Sequence, residues 1–166
     1  MTMLAEGGTA PDFTVTLDDG SAFKLSEVRG RPVVLYFYPE DGTTGCTTQA
    51  QEFSALKPAF ESLGARLIGV SPDTVEDHRK FKVKYGLTVE LAADPERVAI
   101  EAFGLWQLKK LYGREFMGVI RTSFVIGADG RIVKILRATR IAGHAQKMLE
   151  ALEAHVSQSP KAATSS

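Results

Sequence analysis

Val33-Val34-Leu35-Tyr36-Phe37-Tyr38 is the longest unbroken apolar run in the chain. It is rich in β-branched and aromatic residues, which suits a strand buried on both faces. Pro39 closes it, and the loop Glu40-Asp41-Gly42-Thr43-Thr44-Gly45 leads on to Cys46. From Thr44 to Leu63, apolar groups recur at Phe53, Leu56, Phe60 and Leu63. Those spacings of 3, 4 and 3 make one helical stripe. Pro58 falls inside it and is expected to kink the helix or split it in two. Arg66 to Val70 reads as the next strand. A βαβ unit of this kind implies a parallel pair with a right-handed crossover.

The flanks add antiparallel elements. Phe13 to Leu17 and Ala22 to Leu25 surround an Asp-Asp-Gly turn, a hairpin signal. Thr122 to Ile126 and Arg131 to Leu136 surround Ala-Asp-Gly, a second one. Asp73 and Glu76 form a capping-box pattern. A helix through Val75, His78, Phe81 and Tyr85 follows and stops at Gly86. Asp94-Pro95 opens a shorter helix ending near Gly104. Ala145, Met148, Leu149, Leu152 and Val156 mark a final amphipathic helix. The order βαβ, helices, then ββα predicts a three-layer α/β fold with a mixed central sheet. Residues 1–156 are expected to form one domain. Residues 157–166, rich in Ser, Ala and Thr, are expected to be a disordered tail.

Composition narrows the function classes. The 166 residues carry 20 basic and 20 acidic side chains, with 44% apolar and 24% charged residues. That balance disfavours a disordered chain and a polybasic nucleic-acid or anionic-membrane binder. A spanning helix needs about 20 apolar residues, far more than the longest run here. Met1 to Ala10 shows no basic residue and no apolar core, so no signal peptide is read and a cytoplasmic location is expected. Cys46 is the single cysteine, which excludes an internal disulfide, a CxxC pair and a cysteine zinc cage. His78, His144 and His155 share no metal-ligand spacing, and no metal or other cofactor is expected. His78 lies on the apolar stripe of its helix and is read as a partly buried core residue. Trp106, Phe103 and Phe116 are read as core or pocket wall. Lys80, Lys82, Lys84, Lys109, Lys110 and Arg114 are read as a solvated face, with no apolar surface stripe to announce an oligomer contact.

Cys46 sits where a strand hands over to a helix. With Thr43 as N-cap, Thr44, Gly45 and Cys46 are the first three helical residues, and the Thr43 oxygen is expected to face the amides of Gly45 or Cys46. Sulfur over unpaired N–H groups at the positive end of a helix is favoured as thiolate. A buried inert cysteine is the other reading, and position alone leaves both open.

The string Tyr36-Phe37-Tyr38-Pro39-Glu40-Asp41-Gly42-Thr43-Thr44-Gly45-Cys46-Thr47-Thr48 places a Pro, a Thr four residues on and a Cys three later. It resembles the peroxidatic-cysteine motif of the peroxiredoxins, most of all the Q-type, or bacterioferritin comigratory, subfamily. Leu67-Ile68-Gly69-Val70-Ser71-Pro72-Asp73 is similar to that family's second strand and turn. Lys110 through Phe124 is similar to the stretch that holds its active-site arginine. The resemblance runs from about Gly8 to Val156 and implies a thioredoxin-like fold.

By that resemblance Cys46 is the nucleophile that reduces hydrogen peroxide or an organic hydroperoxide and becomes a sulfenic acid. Arg121 is the matching arginine, and its cation stabilises thiolate and helps hold peroxide. Thr43 is the motif threonine, and Pro39 shields the sulfur. The amides near Gly45 and Cys46 complete the substrate site. A free cysteine is roughly 3% thiolate at pH 7, so full ionisation gains only about 30-fold. One donor aimed at charge that grows in the transition state gives about 10²–10³ in other enzymes. Thr43, Arg121 and the amides are therefore expected to matter beyond ionisation.

The chain departs from the family in one respect. Many Q-type members carry a second cysteine five residues after the first, where this chain has Gln51. The resemblance then implies reduction by an external thiol: glutathione, thioredoxin or glutaredoxin. A monomer or weak homodimer is expected. The rival readings are a peroxide sensor relaying oxidation to a partner, and a non-catalytic thioredoxin-fold binding or holdase module.

Overall fold

The computed structural model describes residues 4–158. Its central sheet has seven strands: β1 (Thr14–Leu17), β2 (Ala22–Lys24), β3 (Val33–Phe37), β4 (Arg66–Ser71), β5 (Glu90–Ala93), β8 (Thr122–Ile126) and β9 (Ile132–Arg137). They lie in the order β2-β1-β5-β4-β3-β8-β9. A separate two-stranded ribbon joins β6 (Trp106–Leu111) to β7 (Arg114–Val119). The helices are α1 (Thr44–Ser62), α2 (Val75–Tyr85), α3 (Val98–Ala102) and α4 (His144–Gln158).

β3 is central, parallel to β4 on one side and antiparallel to β8 on the other. Its alternation explains the unbroken apolar run, because the two faces serve two cores. Val33, Leu35 and Phe37 join the core over α3, with Phe13, Ile100, Phe103 and Phe124. Val34, Tyr36 and Tyr38 join the core under α1, α2 and α4, with Cys46, Phe53, Phe81 and Leu152. Tyr36 stacks on Phe53 at 4.2 Å between ring centroids and lies across β4 at Gly69. A Cβ on Gly69 would sit 2.5 Å from the Tyr36 ring, so the position admits only glycine without a shift.

Both expected hairpins form, β1–β2 and β8–β9, and β3–α1–β4 is the expected parallel unit. Other expectations are corrected. Pro58 does not split α1, which runs unbroken from Thr44 to Ser62. The proline leaves the Ser54 carbonyl without its helical donor, and the Thr88 hydroxyl takes that place at 3.4 Å. The N-cap of α2 is Thr74, which accepts from Asp77 N at 3.1 Å, rather than Asp73. Asp73 turns instead to Asp41 and Ser71. The α3 helix starts at Val98, after a turn in which Asp94 accepts from Val98 N and Ile100 N. β5 and the β6–β7 ribbon were not anticipated. Nor was the reach of α4, which includes Ser157 and Gln158 of the supposed tail. The rest of that tail lies outside the described residues.

The ribbon overturns one further expectation, since Phe116 is exposed rather than core or pocket wall. Leu108, Leu111, Tyr112 and Met117 are exposed too, with Leu108 and Met117 on one face of the ribbon and Leu111 and Phe116 on the other. Leu108 and Met117 line an apolar groove of about 660 Å³ together with Phe103, Trp106 and Phe124, and Cys46 does not line it. On the basic face Lys80, Lys84, Lys110 and Arg114 are exposed as expected, whereas Lys82, paired with Asp18 at 2.9 Å, and Lys109 are half-buried. No helix among the described residues is long and apolar enough to cross a membrane.

Candidate active site at the start of α1

The site forms where β3 ends and β8 begins. Phe37 pairs with Thr122 in the antiparallel register, so the residue before β8, Arg121, comes beside the loop after β3. Thr43 is the N-cap of α1, in extended conformation, and Cys46 is the third helical residue. The first intrahelical bond runs from Thr47 N to Thr43 O at 2.9 Å. The amides of Thr44, Gly45 and Cys46 therefore precede the helical ladder and point out of its positive end.

The Thr43 hydroxyl does not cap those amides, contrary to expectation. It donates to the Glu40 carbonyl at 3.1 Å and pins the loop on itself. Cys46 is completely buried. Its sulfur accepts a hydrogen bond from Arg121 Nη2 at 3.3 Å. The other terminal nitrogen of the same guanidinium, Nη1, donates to Gln49 Oε1 at 2.6 Å. The main chain of Arg121 is tied down too, its carbonyl accepting from Ala138 N at 2.9 Å. Pro39 is half-buried between β3 and the loop.

Gly45 is itself tightly confined next to Cys46. A Cβ there would meet Ile141 Cδ1 at 2.7 Å and Arg121 Nη2 at 3.5 Å. The structure thus gathers Cys46, Arg121 and Gly45 tightly, with Thr43 on the adjoining loop. Two site residues escaped the sequence reading, Gln49 and Ile141. Gln49 stands three residues after Cys46, which places both on one helix face, and that spacing could have nominated it. Its Nε2 is buried and has no partner among the described residues.

Other titratable groups crowd in. Burial pushes the Tyr36 phenol well above its ordinary range, and negative charge at Asp41 and Cys46 pushes the same way. Its hydroxyl has no hydrogen-bond partner among the described residues. Burial, and then the charge of Arg121, push the Lys109 ammonium down. Its Nζ donates to the Val119 carbonyl at 3.1 Å, two residues before Arg121. His144 is pushed down to about 4, first by burial and then by Arg121 and Lys147. It is neutral near pH 7, and its Nε2 shares a hydrogen bond with the Ser123 hydroxyl at 2.7 Å.

Residues 7–135 match the AhpC/TSA family. The chain belongs to that family. Within it the Bcp peroxiredoxins are similar throughout. The chain is 44% identical to the peroxiredoxin Bcp of Bacillus subtilis over 147 residues, covering 89% of this chain and 94% of the relative. It is 37% identical to that of Xanthomonas campestris, covering 89% and 92%. Among solved structures, the Xanthomonas campestris bacterioferritin comigratory protein, described for its alkyl peroxide reduction activity, superimposes with a TM-score of 0.82 at 36% identity. The match covers 87% of this chain and 92% of that one. A cysteine-to-serine variant of Xylella fastidiosa PrxQ superimposes with a TM-score of 0.86 at 34% identity, covering 93% and 99%. This AhpC/TSA member therefore has the thioredoxin-like peroxiredoxin fold, and it carries one cysteine.

Proposed function

We propose that this chain is a thiol-dependent peroxidase in which Cys46 is the peroxidatic nucleophile. The observation that carries the reading is the contact of Arg121 Nη2 with Cys46 Sγ at 3.3 Å in a buried site of a peroxiredoxin fold. A fixed guanidinium favours sulfur as the anion, which is the attacking form. The sulfur attacks one oxygen of the peroxide, the O–O bond breaks, and the leaving oxygen departs with the bonding pair. That oxygen takes a proton and leaves as water or an alcohol. Cys46 becomes a sulfenic acid. Arg121 and the free amides of the first helical turn face charge that builds on the oxygens during this step.

The second half-reaction takes an outside thiol, because no other cysteine exists. Its sulfur attacks Sγ, the S–O bond breaks, and water leaves a mixed disulfide. A second thiol then releases Cys46 as thiol. Glutathione, thioredoxin and glutaredoxin are the reductants to compare. At high peroxide the sulfenic acid, lacking an internal partner, goes on to sulfinic acid. The position five residues after Cys46 holds Gln51, exposed on α1.

The test mixes fully reduced protein with one equivalent of hydrogen peroxide, followed by stopped flow and intact mass. Rapid loss of the thiol with a gain of one oxygen is expected, and Cys46→Ser shows neither. Oxidation no faster than that of a free thiol overturns the proposal.

A further inference from the structure

The loop that delivers Cys46 is held from the far side by a buried polar cluster. Asp41 lies five residues before Cys46. Its Oδ1 accepts from the Tyr38 hydroxyl at 2.6 Å, and its Oδ2 lies 2.6 Å from His78 Nδ1. The Asp41 amide donates to Asp73 Oδ2 at 2.8 Å, and that oxygen also accepts from the Ser71 hydroxyl at 2.6 Å. His78 Nε2 lies 3.0 Å from the Ala92 carbonyl. His78 is completely buried and the Asp41 side chain is 7% exposed.

The partners fix the chemistry. A carbonyl only accepts, so His78 Nε2 carries a proton. The close Nδ1–Oδ2 contact then holds a second proton between imidazole and carboxylate, whichever atom owns it. Asp41, Asp73 and His78 offer ligand atoms within 4.8 Å of one another. Two of those atoms, His78 Nδ1 and Asp41 Oδ2, already meet each other at 2.6 Å. The cluster is a clamp. It joins Tyr38 at the end of β3, Ser71 of β4, His78 of α2 and Ala92 of β5 to the loop that carries Thr43, and Gly42, at φ +84°, follows Asp41 in that loop.

The two half-reactions ask opposite things of that loop. Cys46 is fully buried, so both reactants need an opening to the sulfur. Peroxide is small, needs only a narrow one, and reacts with the sulfur placed against Arg121, whereas a reductant thiol must bring its own larger sulfur in line with the S–O bond. The first turn of α1 must therefore draw away from Arg121 and Ile141 for the second step.

We propose that His78, acting through Asp41, is a positioning residue that holds the Pro39–Cys46 loop closed on Arg121. It thereby favours the peroxide step at the expense of the thiol step. This rests on the peroxidase reading.

Two substitutions at His78 dissect the clamp. His78→Asn keeps a donor toward Asp41 and gives up Ala92, whereas His78→Gln keeps the reach to Ala92 and gives up Asp41. Each protein is reduced and mixed with hydrogen peroxide, then the oxidised form with excess glutathione, both by stopped flow. His78→Gln is expected to slow the peroxide step roughly tenfold or more and to speed the glutathione step about threefold. His78→Asn is expected to stay within about threefold of wild type in both. Tyr38→Phe removes the other side-chain donor to Asp41, shifts both steps in the same directions as His78→Gln, and decides the matter if His78→Gln does not fold. Equal behaviour of the two His78 variants overturns the clamp, as does a parallel fall of both steps. A wild-type protein without a fast peroxide step overturns the peroxidase reading and the clamp with it.

Discussion

Arg121 donates to Cys46 across 75 residues of sequence, Nη2 to Sγ at 3.3 Å. The contact exists because β8 runs antiparallel to β3 and starts where β3 ends. A planar guanidinium holds sulfur with one nitrogen and Gln49 with another, a fork that lysine cannot reproduce. Replacing Arg121 by Lys keeps the charge and loses the fork. If ionisation were the whole contribution, the cost could not exceed about 30-fold. Arg121→Lys is expected to slow the peroxide step about 10²–10³-fold, the range for an oriented transition-state donor. Stopped-flow oxidation against wild type measures it, and a loss below 30-fold would make ionisation sufficient.

Gln49 sets the angle of that guanidinium. Gln49→Leu removes the acceptor for Nη1 and also removes an Nε2 that is buried without a partner among the described residues. Those two changes offset in stability, within about 1 kcal/mol. They do not offset in rate, because Arg121 is left free to swing. A fall of about tenfold in the peroxide step is expected at near-constant urea midpoint. A drop in stability with an unchanged rate would assign Gln49 to packing alone.

What the sequence disclosed, and what it hid, follows from distance along the chain. β3 was legible because both its faces are buried, and Cys46 because the motif around it is contiguous. The N-cap position of Thr43 was legible, but the direction of its hydroxyl was not. A threonine hydroxyl can donate backwards to Glu40 as readily as accept forwards from an amide. Asp41 and His78 are 37 residues apart and meet only because α2 packs beside the loop. Ile141 reaches the site from the segment before α4, with no local signal at all. The β6–β7 ribbon stayed hidden because most of its residues, apolar ones included, are exposed, so it lacks the alternation that marks a half-buried strand.

Gly45 is confined by Ile141 and Arg121. Gly45→Ala puts its methyl 2.7 Å from Ile141 Cδ1, closer than van der Waals contact allows. The Ile141 side chain must move, and the same methyl comes within 3.5 Å of Arg121 Nη2. A fall in the peroxide rate is expected, and the double variant Gly45→Ala/Ile141→Ala recovers part of it. Residues in contact commonly couple by about 0.5–3 kcal/mol in such a cycle. Strict additivity would place the effect of Gly45 on Arg121 instead.

His144 gives the fold a pH dependence whose sign can be worked out. Its pKa in the folded chain is about 4, below the ordinary value of 6.5, because burial and the Arg121 and Lys147 charges oppose protonation. The unfolded chain therefore binds a proton there before the folded chain does. Stability from this group is intact above pH 6.5 and falls as pH drops toward 4. Burial raises the Asp73 and Asp94 carboxyls, which act in the opposite direction near the carboxylate range. The His144 contribution is thus read as a difference between two proteins. His144→Gln removes the titration and leaves an amide able to meet the Ser123 hydroxyl. Urea midpoints measured from pH 7 to pH 4.5 are expected to fall more steeply for wild type than for His144→Gln. Parallel curves would show that His144 keeps its ordinary protonation in the folded state.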